Sequence, residues 1–369
     1  MVKVLIIKPS SLGDIIHAAG AVQRIAAAAP DIRLTWVANE PYVPFVRGLP
    51  GVDEVLPFPR QRFTAGRFPL FVPEAFAWGR RLRGFDLAVD LQGLQRSGLM
   101  ARLSGAEERF GPRDARELAR LHYNRPVDIP PRIRHAIDRL DFVADAVIEQ
   151  SAVLARARGA DGRPPNGPDA EPSIDGAQER EPFRLAVPDA SKDEADTLLE
   201  GAQRVVAVCP GARWESKLWP VSRWARLVRD FGTALPDVRP VILGSADERP
   251  LAREIISQAE VPGSAPIDLV GKGDLWTTAA ILEHAECVVA LDSAQLHLAA
   301  AVGTPTVSLF GPTDPDRFAP RGDEHVVLRR EELTCLGCHK RTCPLERRAC
   351  LPDLEVEPVI EAVRAAVGE

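Results

Sequence analysis

Short runs of apolar residues recur along the whole chain, and helical patterns separate many of them. The runs have the length and composition of buried β-strands. They lie at residues 2–7, 33–38, 86–90, 204–209, 239–243, 267–270, 287–291 and 306–310. Strands that alternate with helices predict parallel sheets covered by helices, so we assign the chain to the α/β class.

The segment 159–182 divides these strands into two groups. It is rich in Gly, Pro, Asp and Glu and almost lacks large apolar residues, which is typical of a linker or surface loop. We therefore predict two domains, residues 1–180 and 181–369, and a length of 369 residues suits this division. A last helix is predicted at about 355–367.

The segment 287–315 carries the strongest functional signal. An apolar strand ends at Leu291, Asp292 and Ser293 follow it, and an alanine-rich helical pattern then runs to Gly303. In open α/β sheets ligands bind where a strand meets its helix, because the first N–H groups of the helix are unpaired. His297 lies one helical turn after Ser293, on the same face. The simpler alternative is a capped helix with a buried histidine.

The N-terminus repeats this strand, loop and helix arrangement. A strand at 2–7 leads into a loop, and a helix starts at about Asp14, where the helix dipole favours a carboxylate. Gly13 allows a close approach to the backbone. The glycines of a dinucleotide fingerprint are missing, which argues against a nicotinamide site. Capping of the helix alone would also explain Asp14.

Five motifs together resemble glycosyltransferase family 9, the ADP-heptose:lipopolysaccharide heptosyltransferases. They are PSSLGDIIHA, VDLQGLQRSG, KLWPVSRW, LDSAQLH with the following GTP, and LFGPTDP. The middle segment ARELARLHYNRPV is most similar to heptosyltransferase I. The resemblance implies a GT-B fold, with two Rossmann-like domains facing a central cleft and a C-terminal helix that packs back on the first domain. It also implies an acceptor-binding first domain and a nucleotide-sugar-binding second domain.

The resemblance further implies an inverting transfer of heptose from ADP-heptose to the Kdo/lipid A inner core. Asp14 would be the general base, and Lys217 would neutralise the donor phosphates. Glu248 matches an acid near the ribose. The remaining donor-binding positions are Asp292, Ser293 and His297. No D-x-D motif stands in a suitable context, so we expect no cofactor to be required for catalysis.

Two departures from the family pattern lie in these donor motifs. Ala294 stands where the family usually has Gly, and Gln295 stands where Pro or a small apolar residue is common. Ala212 and Arg213 replace threonines of the donor loop. These changes leave another sugar or a protein acceptor open. A sugar-nucleotide epimerase of the same fold and a non-catalytic nucleotide-binding protein are further alternatives.

The charge is unevenly distributed. Residues 47–139 contain 17 Arg, no Lys and 11 acidic residues, a balance of +6, whereas the rest of the chain balances at −12. This favours an anionic partner for the first domain. The acidic chain and the lack of interleaved aromatic residues argue against nucleic acid. The resemblance assigns acceptor binding to Arg60, Arg62 and Arg116. An ordinary Arg-rich surface is the alternative.

Four of the six cysteines cluster near the C-terminus, in the loop 335–350. Cys335, Cys338, Cys343 and Cys350 include a C-x2-C pair, a spacing that suits a structural zinc or iron ion. A set of free thiols is the alternative.

Because no apolar stretch reaches the ~20 residues of a membrane span, we expect a cytoplasmic protein. A glycolipid acceptor would add peripheral contact with the cytoplasmic face of the inner membrane.

Overall fold

The computed structural model describes residues 1–63, 72–159, 182–260, 265–345 and 349–368. The chain divides into two units, Met1–Phe183 and Arg184–Glu369. Nearly all of the predicted linker at 159–182 lies outside the described residues. In the ranges that are described, no helix is both long and apolar enough to cross a membrane.

The first unit is a six-stranded parallel sheet with helices. Its strands are β1 Val2–Ile7, β2 Ile32–Asn39, β3 Glu54–Phe58, β4 Leu87–Asp90, β5 Glu108–Pro112 and β6 Arg125–Val127. The sheet order is β3-β2-β1-β4-β5-β6. Its helices are α1 Leu12–Ala27, α2 Val43–Arg47, α3 Val72–Arg80, α4 Gln95–Leu103, α5 Ala136–Gln150 and α6 Ala152–Ala157. The central strand β1 buries Val4 to Ile7 completely, which makes it the middle of the core.

The second unit repeats this plan. Its strands are β7 Val205–Cys209, β8 Arg239–Ile242, β9 Ile267–Asp268, β10 Cys287–Leu291, β11 Thr306–Leu309 and β12 His325–Leu328. The sheet order is β12-β11-β10-β7-β8-β9, again parallel. Its helices are α7 Asp189–Leu198, α8 Val221–Ala234, α9 Arg249–Ala259, α10 Leu275–His284, α11 Ala294–Val302, α12 Pro315–Phe318 and α13 Glu357–Val367.

All eight strands predicted from the apolar runs are present, but the structure adds β3, β5, β6 and β12. Three of the added strands form sheet edges, and β5 lies next to an edge. Edge positions tolerate proline and partial exposure. Accordingly, β3 contains Pro57, β6 contains Pro126, and no residue of β12 is fully buried. Their sequences therefore lack the continuous apolar run of a central strand.

The C-terminal helix α13 spans Glu357–Val367, close to the predicted bounds of about 355–367. The apolar side of α13 packs within the second unit, where Val359 and Val363 are fully buried in the same core as Trp224. Arg223 and Arg226 of α8 form ion pairs with Glu355 and Glu357 at the start of α13. Val359 and Val363 are four residues apart, so they lie on the same side of the helix and form an apolar stripe. The sheet of the second unit covers this stripe.

We predict that Val359→Ala and Val363→Ala each lower the free energy of unfolding by about 2 kcal/mol, because each removes buried methyl groups and leaves a cavity. Chemical denaturation monitored by tryptophan fluorescence measures this loss. Glu361→Ala, on the exposed side of the same helix, is the control and should change stability by less than about 0.5 kcal/mol. Equal stability of all three variants would contradict burial of this helix face.

Candidate active site

Asp14 lies at the carboxyl edge of the first sheet, in the first turn of α1. Ser11 is the N-cap of this helix. The Asp14 Oδ2 atom accepts hydrogen bonds from the Ser11 backbone N–H at 2.8 Å and from the Ser11 hydroxyl at 2.6 Å. One carboxylate oxygen therefore caps the helix, as the simpler interpretation of the sequence expected, and the other remains available for chemistry.

Lys8 is the partner of this second oxygen. Its side chain is buried, and its Nζ atom donates to the Leu91 carbonyl at 3.0 Å and lies 3.6 Å from Asp14 Oδ1. Burial raises the pKa of Asp14, but the Lys8 charge and the two Ser11 hydrogen bonds outweigh burial and lower the pKa to about 2, with a smaller contribution from His17. Asp14 is therefore a carboxylate at neutral pH. Its side chain is 46% exposed, so a substrate can reach it.

Asp90, in the VDLQG motif, has a structural role. It is fully buried at the end of β4. Its Oδ1 atom accepts from the N–H groups of Gln92 and Gly93, at 2.8 and 3.1 Å, and its Oδ2 atom accepts from the Tyr123 hydroxyl at 2.6 Å. Burial raises the pKa of Asp90. These bonds fix the loop that follows β4, which pairs with β1, the strand that precedes Asp14.

The three predicted acceptor arginines are exposed and belong to loops at the same edge of the first sheet. Arg60 and Arg62 follow β3, and Arg116 follows β5. Arg62 is 3.7 Å from Glu40 in an exposed ion pair. Sequence reasoning did not name Arg96 of α4, whose guanidinium lies 5.8 Å from the centre of the Phe58 ring, two residues before Arg60.

In the second unit, Lys217, Asp292 and His297 form one buried cluster. Lys217 Nζ is 2.6 Å from Asp292 Oδ2 and 3.2 Å from the Asp292 carbonyl. His297 Nε2 is 3.5 Å from Asp292 Oδ1. Burial opposes ionisation of Asp292, but the His297 hydrogen bond and the Lys217 charge hold its pKa far below the ordinary value. The structure thus joins three of the predicted donor residues, although 75 residues separate Lys217 from Asp292.

Two hydroxyl groups at the carboxyl edge of the second sheet are buried without a hydrogen-bond partner among the described residues. They are Ser293 Oγ, at the N-cap of α11, and Thr313 Oγ1, in the loop after β11. Buried polar atoms are almost always paired. An unpaired hydroxyl at the carboxyl edge of a parallel sheet is ready to bond a ligand oxygen. Sequence reasoning named Ser293 and missed Thr313.

Glu248 lies against the glycines of two neighbouring loops. Its Oε2 atom accepts from the Ser245 N–H at 2.6 Å, which makes it a capping acid. A Cβ atom at Gly211 or Gly244 would overlap the Glu248 carboxylate. Gly211 follows β7 and Gly244 follows β8, so Glu248 stands at the same strand ends as the predicted donor loop.

The four clustered cysteines are free thiols. Cys335 and Cys338 are exposed, and Cys343 and Cys350 are partly buried. No group of three or more His, Cys, Asp or Glu side chains in the described ranges is arranged to hold a metal ion. The structure therefore gives no support to the predicted zinc or iron site.

Comparison with known proteins assigns the family. The model of glycosyltransferase family 9 (heptosyltransferase) matches residues 75–349. The chain belongs to this family. It is 31% identical over 370 aligned residues to lipopolysaccharide heptosyltransferase 1 of Pseudomonas aeruginosa, covering 96% of this chain and 92% of the relative.

Solved structures of the family share the fold. Escherichia coli ADP-heptose lipopolysaccharide heptosyltransferase II has a TM-score of 0.74 at 20% identity, covering 99% of this chain and 98% of that one. An E. coli heptosyltransferase solved with ADP has a TM-score of 0.71 at 24% identity, covering 99% and 100%. The predicted GT-B type of α/β fold is thereby confirmed, together with the family.

We predict that Lys8→Met raises the pKa of Asp14 from about 2. The substitution removes the positive charge that contributes most to lowering this pKa. A lowered pKa stabilises the folded state at pH values above the ordinary pKa of about 4, and this stabilisation is lost as the pH falls towards 2. In the variant this stabilisation is smaller, and its loss is complete at a higher pH. Carboxyl ¹³C NMR titration measures the change directly. Lys3→Met, at an exposed position of β1, is the control, and an unchanged Asp14 titration in Lys8→Met would refute the role of Lys8.

Proposed function

We propose that this protein is an inverting heptosyltransferase that transfers heptose from ADP-heptose to the Kdo/lipid A inner core of lipopolysaccharide. The observation that carries the proposal is the ionised, half-exposed carboxylate of Asp14 at the carboxyl edge of the first sheet. The chain that carries it belongs to glycosyltransferase family 9. The names of its relatives supply the donor and the acceptor class.

The second unit would bind the donor. Lys217 and the first N–H groups of α11 offer positive charge to the diphosphate, and Ser293 offers an unpaired hydroxyl. Glu248 would accept hydrogen bonds from the ribose. His297 would hold Asp292, and through it Lys217, in place. As ADP departs its negative charge grows, so fixed positive charge at this position stabilises the transition state without a divalent cation.

The first unit would bind the acceptor and remove its proton. The acceptor hydroxyl attacks the anomeric carbon from the face opposite ADP, the bond from that carbon to ADP breaks, and Asp14 takes the proton. A carboxylate of pKa about 2 is a weak base, so the proton moves late, when the bond to carbon has made the hydroxyl acidic. Arg60, Arg62 and Arg116 would bind the carboxylates and phosphates of the glycolipid.

Asp14→Asn should lower kcat for heptose transfer by a factor of about 100 or more, since general base catalysis contributes roughly 10²–10⁴. Asn can still accept from the Ser11 N–H, so the fold and the affinity for ADP should stay unchanged. Release of ADP from ADP-heptose in the presence of Kdo-lipid A measures the rate. Asp31→Asn, an exposed residue before β2, is the control. Turnover within a few-fold of the wild type would exclude Asp14 as the base.

Replacing Arg60, Arg62 and Arg116 together with Gln should raise the KM for Kdo-lipid A by about 10- to 100-fold and leave ADP affinity unchanged. Each lost charge-assisted hydrogen bond is worth roughly 1.5–3 kcal/mol, less where water replaces it. The wild-type KM should also rise with salt, because screening shortens the reach of the charges to ~10 Å at about 0.1 M. The control replaces three exposed arginines of the second unit, Arg229, Arg253 and Arg364. If the acceptor KM responds to neither mutation nor salt, these arginines do not bind the acceptor and belong to an ordinary Arg-rich surface.

We further propose that the protein is cytoplasmic and touches the inner membrane through its first unit. The support is a surface of exposed leucines, 62% exposed at Leu118 and 66% at Leu121. These leucines lie in and beside the 3-10 turn Ala119–His122, which packs against α4. Four exposed arginines on α4 and in or next to this turn form no ion pair among the described residues: Arg96, Arg102, Arg116 and Arg120. Apolar side chains rimmed by cations suit an anionic bilayer surface.

Leu118→Ser with Leu121→Ser should weaken binding to vesicles that contain phosphatidylglycerol by about tenfold, since each inserted leucine contributes of the order of 1 kcal/mol. Co-sedimentation with vesicles measures the affinity, and purely zwitterionic vesicles should bind the wild type poorly. Leu345→Ser, at a residue 54% exposed in the second unit, is the matched control. Equal sedimentation of all variants would show that this surface does not bind the membrane.

A further inference from the structure

The Cys-rich segment, residues 335–343, lies against the predicted donor loop. The buried Ser216, next to Lys217, donates from its hydroxyl to the Lys340 carbonyl at 2.7 Å and from its backbone N–H to the Arg341 carbonyl at 3.2 Å. The same segment is tied to the loop after β11. Gly337 N–H donates to the Gly311 carbonyl at 3.2 Å, and His339 N–H donates to the Pro312 carbonyl at 2.7 Å. These bonds join the segment to loops at two strand ends of the second sheet.

This attachment brings a second cation to the same aromatic ring that Lys217 contacts. Lys217 Nζ lies 4.6 Å from the centre of the Trp214 ring, and the guanidinium carbon of Arg341 lies 5.8 Å from the same centre. A cation near the face of an aromatic ring is attracted to it, so both cations share Trp214 as a contact. Neither Trp214 nor Arg341 belongs to the predicted donor residues.

The charges of the cluster show why a second cation matters. Lys217 is already paired with the buried carboxylate of Asp292, so part of its positive charge is offset. Arg341 is exposed, and in the ranges that the structure describes it has no ion-pair partner. A nucleoside diphosphate carries at least two negative charges, and Lys217 alone cannot balance them. The guanidinium also offers two parallel N–H groups, which match phosphate oxygens better than an ammonium does.

We propose that Arg341 binds the diphosphate of the nucleotide-sugar donor together with Lys217, and that the Cys-rich segment serves to place it there. The inference rests on the proposed donor site of the second unit. It gives the segment a role in substrate binding that requires no metal ion, since Ser216 and the loop carbonyls hold it by hydrogen bonds. The side chain of Lys340, adjacent in sequence, is not required, because this residue joins the contact through its carbonyl oxygen.

Calorimetric titration of the full chain with ADP and with adenosine tests this assignment. Arg341→Gln should raise the Kd for ADP by about tenfold, the lower end of the range for one charge-assisted hydrogen bond at an exposed position. It should leave the Kd for adenosine unchanged, because adenosine has no phosphate. Lys340→Gln removes the same charge one residue away and should change neither Kd by more than about twofold. Arg341→Lys should recover part of the ADP affinity. Circular dichroism checks that each variant is folded.

The outcomes separate this inference from the proposed function. If the wild type fails to bind ADP, or if Lys217→Ala binds it as well as the wild type, the donor site itself is wrong. If Lys217→Ala weakens ADP binding but Arg341→Gln does not, Arg341 has no role there and the inference is overturned. If Arg341→Gln weakens adenosine and ADP equally, the residue only maintains the shape of the loop, and the assignment to the diphosphate is likewise overturned.

Discussion

Every strand pair in both sheets is parallel, and this constraint determines where chemistry can take place. Parallel strands end at one edge, so the loops that follow them are gathered there, while the strands themselves are buried on both faces. Asp14 follows β1, and Arg60 and Arg116 follow β3 and β5. In the second unit Lys217 and Asp292 follow β7 and β10. Side chains from distant parts of the sequence are therefore gathered at one edge of each sheet without any distortion of the core.

The two units hold their ions in a similar way. In each, a lysine with little solvent exposure contacts one backbone carbonyl and one carboxylate: Lys8 contacts Leu91 and Asp14, and Lys217 contacts Asp292 twice. A buried ammonium without such partners would be strongly unfavourable. The difference lies in exposure, 46% for the side chain of Asp14 and 9% for that of Asp292. An exposed carboxylate can receive a proton from a substrate, whereas a shielded one positions its lysine.

The Cys-rich segment has a defined position although it contains no regular secondary structure. Residues 335–343 form no helix or strand. Their backbone is nevertheless fixed, because Ser216 and the carbonyls after β11 supply the hydrogen bonds that secondary structure would otherwise supply. The cysteines are the most conspicuous feature of the segment in the sequence. Its contact with the predicted donor loop, however, is made by backbone hydrogen bonds and by Arg341.

The sequence by itself determined the α/β class, the central strands, the family resemblance and the residues at strand ends, because continuous apolar runs and strand–loop–helix boundaries are local signals. Tertiary structure decided the edge strands. In β3, for example, Pro57 and partial exposure interrupt the apolar run by which a strand is predicted from sequence. It also decided that α13 packs on the second sheet and that Lys8 lies close enough to Asp14 to lower its pKa. Each of these depends on which distant residues share one place. The burial and the charge of a group follow from its neighbours in space, and a linear pattern does not contain them.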